Sequence, residues 1–329
     1  MDGQRFTLFA VLQRGRLQYE ALLLLASLAE TNPSGHFDIV LCEPVPGPLW
    51  SFDPRVQDPT FRALLTELGA EIRPFDNQVF GETYPHGNKI EGLRALPPDQ
   101  PFVFVDTDTV FLAPLDQVPF DFDRPTASLR REDTWPKPDV AGHSREVIWR
   151  ALYHRFGLDF EASLDPAKDA EDWERYLYFS AGWFFHRDPV RFGGRFLEIA
   201  QSIRDAPPPE LAGQSLDPWL DQVALPLVIQ GLGGGRQTLP PGLLDGRVSC
   251  HWRTLPLLYA REGDDVIDLV ERIAAPQAIK KHLKAYEPFR KLIYQGKGRR
   301  VQRLFTDGPL PRQERLIRKR IREAGLWLR

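Results

Sequence analysis

Phe102-Val103-Phe104-Val105-Asp106-Thr107-Asp108 is the stretch on which the reading of this chain turns. An unbroken apolar run of this length fits a strand covered on both faces, the habit of central parallel strands. It delivers Asp106 to its carboxyl end, the edge of an open α/β sheet where ligands bind. The chain is expected to turn there. Two acidic side chains on one turn repel each other unless a cation sits between them, and hard oxygen ligands suit Mg²⁺ or Mn²⁺. Such an ion would clamp a diphosphate and stabilise its charge on departure. The blander reading is an ordinary strand end with two solvated aspartates. Asp-x-Asp alone does not decide between the two, although Thr109-Val110-Phe111-Leu112 after it adds weight to the first.

Working outward, the first half alternates strand and helix signals. Strands are expected at 6–12, 37–42 and 71–73, with helices at 17–30, 60–68 and 89–96 between them and before 102–105. Asn32-Pro33, Gly69 and Pro97-Pro98 stop the three helices. This order implies parallel strands joined by crossover helices on both faces. The second half is less regular. Strands are expected at 127–129, at 176–186 (Tyr-Leu-Tyr-Phe-Ser-Ala-Gly-Trp-Phe-Phe-His) and at 248–252. Helices are expected at 144–156, 190–204 and 216–230, the last with Pro218 in its first turn. Beyond about residue 261 the pattern is helical and basic.

Length and composition fit this picture. The chain has 329 residues, 42% of them hydrophobic, which is enough for a sizeable core and excludes a disordered chain. Only Cys42 and Cys250 occur, so stability does not rest on a disulfide framework and the usage fits a reducing, cytoplasmic setting. Residues 21–26 form an apolar run bracketed by Glu20 and Glu30, far short of the roughly 20 residues of a membrane span. It reads as a buried helix, and no targeting segment is visible. Charge is unevenly distributed: residues 280–329 hold 16 Lys/Arg against 4 Asp/Glu, while the whole chain has net charge −3. That basic region reads either as a solvated helical surface or as a surface for anionic lipid headgroups or an acidic partner. Nucleic acid is not expected as a partner, because zinc-ligand, RNP and helix-turn-helix signatures are missing.

Two enzyme classes share a strand followed by Asp-x-Asp-x-Thr. In a haloacid-dehalogenase-like phosphatase Asp106 would be the nucleophile and Asp108 the general acid, and Gly263-Asp264-Asp265-Val266-Ile267-Asp268 has the spacing of that family's metal motif. No apolar strand precedes Gly263, however, and the nucleophile strand normally opens such a domain.

Further motifs stand in a fixed order around the strand. Asn88-Lys89-Ile90 lies on the helix before it. Phe179-Ser180-Ala181-Gly182-Trp183-Phe184, Asp221-Gln222-Val223-Ala224-Leu225 and Ser249-Cys250-His251-Trp252 follow. With Phe104-Val105-Asp106-Thr107-Asp108-Thr109-Val110 these resemble glycosyltransferase family 8, the group of glycogenin and bacterial lipopolysaccharide galactosyltransferases. The similarity spans roughly residues 6–255. It implies a GT-A fold: Rossmann-like, of the nucleotide-diphospho-sugar transferase type, with a central mostly parallel sheet. Such a domain would cover 1–260, and 261–329 would be a helical, basic C-terminal extension.

The resemblance also implies roles. Asp106, Asp108 and His251 would be metal ligands, for Mn²⁺ or Mg²⁺. Lys89, Asp106, Thr107, Asp108, Ser180, Ala181 and Gly182 would bind the donor, a nucleoside-diphosphate sugar of the UDP-hexose type. Asp221 would face the anomeric carbon and Gln222 would bond a sugar hydroxyl, in a transfer with retention. Apart from the resemblance, the acidic first part of the chain and the basic tail suggest a bacterial surface-glycan or lipid-linked acceptor, with peripheral contact of the basic region at the inner face of an anionic membrane. A non-catalytic sugar-nucleotide-binding protein is the further alternative. This sequence departs from the family in three places. Ser180 stands where Asn is usual. Gln13-Arg14-Gly15-Arg16-Leu17 replaces the usual base-holding loop. Arg253-Thr254-Leu255-Pro256-Leu257 replaces the usual Gly and Lys-Pro-Trp, so the closing loop over the phosphates must be built differently, with Arg253 or Arg261 as candidates. Gly233-Gly234-Gly235-Arg236 lacks the strand-to-helix context of a phosphate-binding loop.

Overall fold

Alternate residues of the 102–105 strand enter different halves of the core. Phe102 and Phe104 join one hydrophobic cluster with Phe9, Phe184 and Phe192, whereas Val103 and Val105 join the other with Leu8, Phe185 and Trp183. This is the two-residue alternation of a strand with both faces covered. A computed structural model describes residues 5–33, 35–129, 134–137, 142–236, 238–306 and 308–328. In chain order the elements are β1 (Phe6–Val11), α1 (Arg16–Thr31), β2 (Phe37–Pro44), α2 (Pro59–Glu67), β3 (Ala70–Phe75), α3 (Asn88–Glu91), β4 (Phe102–Val105), β5 (Thr109–Phe111), β6 (Ala127–Ser128) and α4 (Arg145–Arg155). There follow β7 (Ser180–His186), α5 (Pro189–Asp205), α6 (Leu220–Gly231), β8 (Ser249–His251), α7 (Leu255–Arg261), α8 (Asp264–Ile273), α9 (Gln277–Leu283), α10 (Glu287–Phe289), α11 (Lys297–Arg303) and α12 (Glu314–Glu323).

Six strands form the main sheet in the order β3-β2-β1-β4-β7-β6. The first four pair in parallel, and β7 runs antiparallel to β4 with Val105 opposite Trp183. Stacking of Phe104 on Phe184, with centroids 4.7 Å apart, reinforces that junction. The mostly parallel α/β class expected from the sequence is therefore the one observed. A separate two-stranded sheet pairs β5 with β8, setting Thr109 opposite His251.

Several elements begin elsewhere than the sequence pattern suggests. The helix expected from 216 starts at Leu220, and Pro218, after a cis bond from Asp217, lies ahead of it rather than in its first turn. The aromatic strand expected from 176 is a strand only from Ser180. Tyr176 and Tyr178 are instead buried with hydroxyls directed to Ala170 O and Gln222 Oε1. The helix expected over 89–96 is one α-turn, α3, continued as a 3₁₀ turn over Gly92–Ala95. Gly92 lies hard against the sheet, where a Cβ would come within 3.2 Å of Phe9 and Cys42.

The run at 21–26 is a buried helix, as expected: residues 20–28 of α1 are all enclosed. Helices α8 and α9 pack on α1, and α11 and α12 pack on α7, so the residues after 261 lie against the preceding ones. The apolar face of α8 (Val266, Ile267, Leu269, Val270, Ile273) and Ile317 and Ile321 of α12 are buried there. Cys42 and Cys250 are buried in different clusters and are not joined in a disulfide. Among the described residues, no helix is long and apolar enough to cross a membrane.

Candidate active site

The turn after β4 is held from two directions. Asp106 N donates to Gly182 O at 2.8 Å, continuing the β4–β7 ladder. Trp252 N donates to Asp108 O at 2.9 Å, extending the pairing of β5 with β8. These two ladders bring His251 to the aspartates from far along the chain. His251 Nε2 lies 3.1 Å from Asp108 Oδ1 and 3.8 Å from Asp106 Oδ2. One ligand atom from each of the three residues falls within 4.8 Å of the others.

This donor set fits a divalent cation. Neighbouring ligands about 2.1 Å from an ion sit about 3 Å apart, as His251 and Asp108 do at 3.1 Å, and imidazole beside two carboxylates suits Mn²⁺ better than a purely oxygen site would. The electrostatics are correspondingly tense. Burial pushes the Asp108 carboxyl up, but His251 together with Arg16 and Arg253 holds the group below its ordinary value. Burial pulls His251 down, and Asp108 outweighs that in turn, raising it. Asp106 is the most open of the three, with 29% of its side chain exposed.

Lys89 sits behind Asp106, 6% exposed. Its ammonium is 3.0 Å from Asp106 Oδ1 and 3.4 Å from Asp221 Oδ2, and it donates to Ala181 O at 2.9 Å. Burial would lower its pKa, but the two carboxylates more than offset this. Asp221 lies in the first turn of α6 and is 2% exposed. Tyr84 fixes it: the phenol accepts from Asp221 N and lies 2.9 Å from Asp221 Oδ1. Gln222 points to Tyr178, whose hydroxyl donates to its Oε1 at 3.0 Å. Ser180 opens β7 in register with Ser128 of β6.

The structure thus brings together Lys89, Asp106, Asp108, Ala181, Gly182, Asp221 and His251. Thr107 is turned beneath this group, its hydroxyl donating to Glu20 Oε2 at 3.1 Å. Glu20, Arg16 and Tyr84 were not singled out as site residues from the sequence. The one available signal was an acid at the edge of an apolar run. Of the two arginines considered for closing the site, Arg261 is held by Glu314 at 2.9 Å. Arg253, two residues after His251, adopts a left-handed backbone with φ 63°, a conformation uncommon outside glycine and worth noting beside a site. The glycine loop at 233–235 packs on β6's approach, with Gly235 N donating to Pro125 O.

The phosphatase alternative loses its second motif. Asp264 and Asp268 belong to α8, and both are paired to Arg299. Residues 8–233 match the model of the Rhodobacterales glycosyltransferase domain. The chain belongs to that family. It is an enzyme, a glycosyltransferase, built on the mostly parallel α/β sheet expected from its sequence.

No curated protein matches this glycosyltransferase at the level of sequence. Among solved structures, it is similar to the galactosyltransferase LgtC in complex with donor and acceptor sugar analogs, at 12% identity and TM-score 0.41, over 70% of this chain and 72% of that one. The bifunctional glycosyltransferase WbbM aligns at 15% identity and TM-score 0.44 over 86% of this chain, which spans about half (52%) of WbbM. Mouse xyloside xylosyltransferase 1 aligns at 12% identity and TM-score 0.36, over 74% of this chain and 83% of its own.

Proposed function

We propose that this glycosyltransferase moves a hexose from a UDP-sugar to a glycan or lipid-linked acceptor, with retention at the anomeric carbon. Asp106, Asp108 and His251 would hold Mn²⁺ or Mg²⁺. The observation that carries the reading is the placement of Lys89, whose single ammonium is within 3.4 Å of both Asp106 and Asp221. A metal-bound diphosphate and a sugar facing Asp221 would then meet at one point. Bound there, the ion would neutralise charge growing on the diphosphate as the glycosidic bond breaks.

Each residue then has a defined task. Lys89 keeps Asp106 and Asp221 apart in orientation while cancelling their repulsion, and its charge favours departing phosphate. Asp221 stabilises positive charge at the anomeric carbon. Gln222 bonds a sugar hydroxyl, and the Ser180-Ala181-Gly182 segment lines the sugar. Double displacement by paired carboxylates is the hydrolase route to retention. With Asp221 already engaged by Lys89 and Tyr84, attack by the acceptor on the face the diphosphate leaves is the route proposed. The basic C-terminal region would rest on anionic headgroups at the inner membrane face. Arg312, Arg315, Lys319 and Arg322 are exposed there beside the exposed Leu316.

A thermal-shift screen of nucleoside diphosphates and sugar nucleotides, with and without Mn²⁺, tests the reading, because a ligand of the native state raises Tm by mass action. Uridine nucleotides should stabilise the protein only with Mn²⁺, and Asp106→Ala/Asp108→Ala should lose both the shift and sugar transfer. Full metal-dependent turnover by that double variant would sink the proposal.

A further inference from the structure

Glu20 is a carboxylate 1% exposed on a helix whose next eight residues are all enclosed. Burial and the nearby Asp108 push its pKa up, against Arg16 and Thr107, which favour the charged form. An acid in such a place costs stability unless every oxygen is engaged, and a leucine would fill the same space without that cost. Both oxygens are engaged. Arg16 Nη1 donates to Oε1 at 2.9 Å, and Thr107 Oγ1 donates to Oε2 at 3.1 Å.

Thr107 is the residue between the two aspartates, so this bond fixes the middle of the metal-binding turn. The same helix holds the far side of the turn: Ser27 Oγ, two turns along α1, accepts from Phe111 N at 2.9 Å. Arg16 Nη1 also reaches Arg253 O at 3.4 Å, on the left-handed residue that follows the histidine strand. One guanidinium–carboxylate pair therefore touches both chain segments that carry the metal ligands.

Resting on the metal reading above, we propose that Glu20, supported by Arg16 and acting through Thr107, is a positioning residue that presets Asp106 and Asp108 for the cation. Groups that orient metal ligands without touching the ion set affinity strongly: their loss weakens binding by about 10–100-fold. A merely structural role predicts the opposite pattern, a change in stability with unchanged metal affinity.

The test is Mn²⁺ binding by the full chain, without nucleotide, followed by the electron paramagnetic resonance of free Mn²⁺, with Tm of the metal-free protein measured alongside. Thr107→Val should weaken Mn²⁺ binding about 10–100-fold and also lower Tm, because Glu20 Oε2 loses its donor, and Thr107→Ser should restore both. Glu20→Leu should weaken binding similarly, and Glu20→Gln, which keeps an acceptor for Thr107, should weaken it less. If Glu20→Leu does not fold, Thr107→Val decides alone. Wild-type affinity in Thr107→Val overturns the proposal if Asp106→Ala/Asp108→Ala has lost binding. If that double variant binds as wild type does, or wild type does not bind Mn²⁺, the metal reading itself fails and the positioning role falls with it.

Discussion

Gly182 and His251 are packed so closely that a Cβ on residue 182 would lie 2.3 Å from Nδ1 of the imidazole. Glycine at this position leaves room for the histidine ring. Gly182→Ala should push the ring away from Asp108 while β7 keeps its pairing. Overpacking of this kind costs about 1–3 kcal/mol. Mn²⁺ affinity should fall at least about tenfold, as for a lost orienting group, with circular dichroism unchanged. Undisturbed affinity in a folded Gly182→Ala protein would show that the ring has another position from which to bind.

Tyr84 makes two contacts to Asp221, one to its amide and one to its carboxylate. Tyr84→Phe leaves both groups buried without that partner, a loss of about 1–3 kcal/mol. The freed carboxylate should swing toward Lys89. On the proposed role of Asp221, kcat should drop by about tenfold or more, the scale set by that energy, with KM for the donor little altered. A drop in Tm with kcat intact would confine Tyr84 to stability.

His186 is buried on β7, and burial lowers its pKa, against a smaller opposing effect of Asp188. The folded histidine is thus neutral where the unfolded one, near its ordinary 6.5, takes up a proton. The unfolded state binds more protons below that value, so stability rises with pH through the window and falls as pH drops from 6.5 toward the depressed folded value. His186→Gln should flatten the fall of Tm between about pH 6.5 and 5.5, the range just below the histidine reference. An unchanged slope would assign the acid sensitivity to other groups.

On the proposed membrane contact, the exposed Arg312, Arg315 and Lys319 on and before α12 would face the headgroups. Replacing all three with Gln should weaken sedimentation with phosphatidylglycerol vesicles by roughly two orders of magnitude at low salt. Binding to neutral vesicles should be unaffected, and added salt should erase the difference. Equal sedimentation of the variant and wild type would remove this surface from membrane contact.

Much of the site was legible because its signals are local. An apolar run ending in Asp106 and Asp108 shows in a few residues, and the order of Lys89, Gly182, Asp221 and His251 around it could be read along the chain. The helix at 21–26 was legible for the same reason. Glu20 was not, because an acid beside a leucine run looks like the polar edge of an amphipathic helix until its partner, Thr107, is seen across the fold. Tyr84 was hidden likewise, since its partner lies 137 residues away. The early start assigned to β7 has a local cause, the apolar run 176–179, which is buried by packing and not by the ladder, and ahead of α6 Leu216 and Trp219 are half-buried against the core.

The sequence by itself determined the parallel α/β class, the position of the acidic turn at the end of β4 and the basic character of the last fifty residues. These follow from periodicity, from strand ends and from charge, which are properties of neighbours along the chain. Tertiary structure alone decided that β5 and β8 pair to carry His251 to Asp108, that Lys89 stands between Asp106 and Asp221, and that Glu20 of α1 bonds Thr107 between the two aspartates. Those arrangements depend on hydrogen bonds and ion pairs between distant segments, whose geometry exists only once both ladders and the helix beneath them have closed.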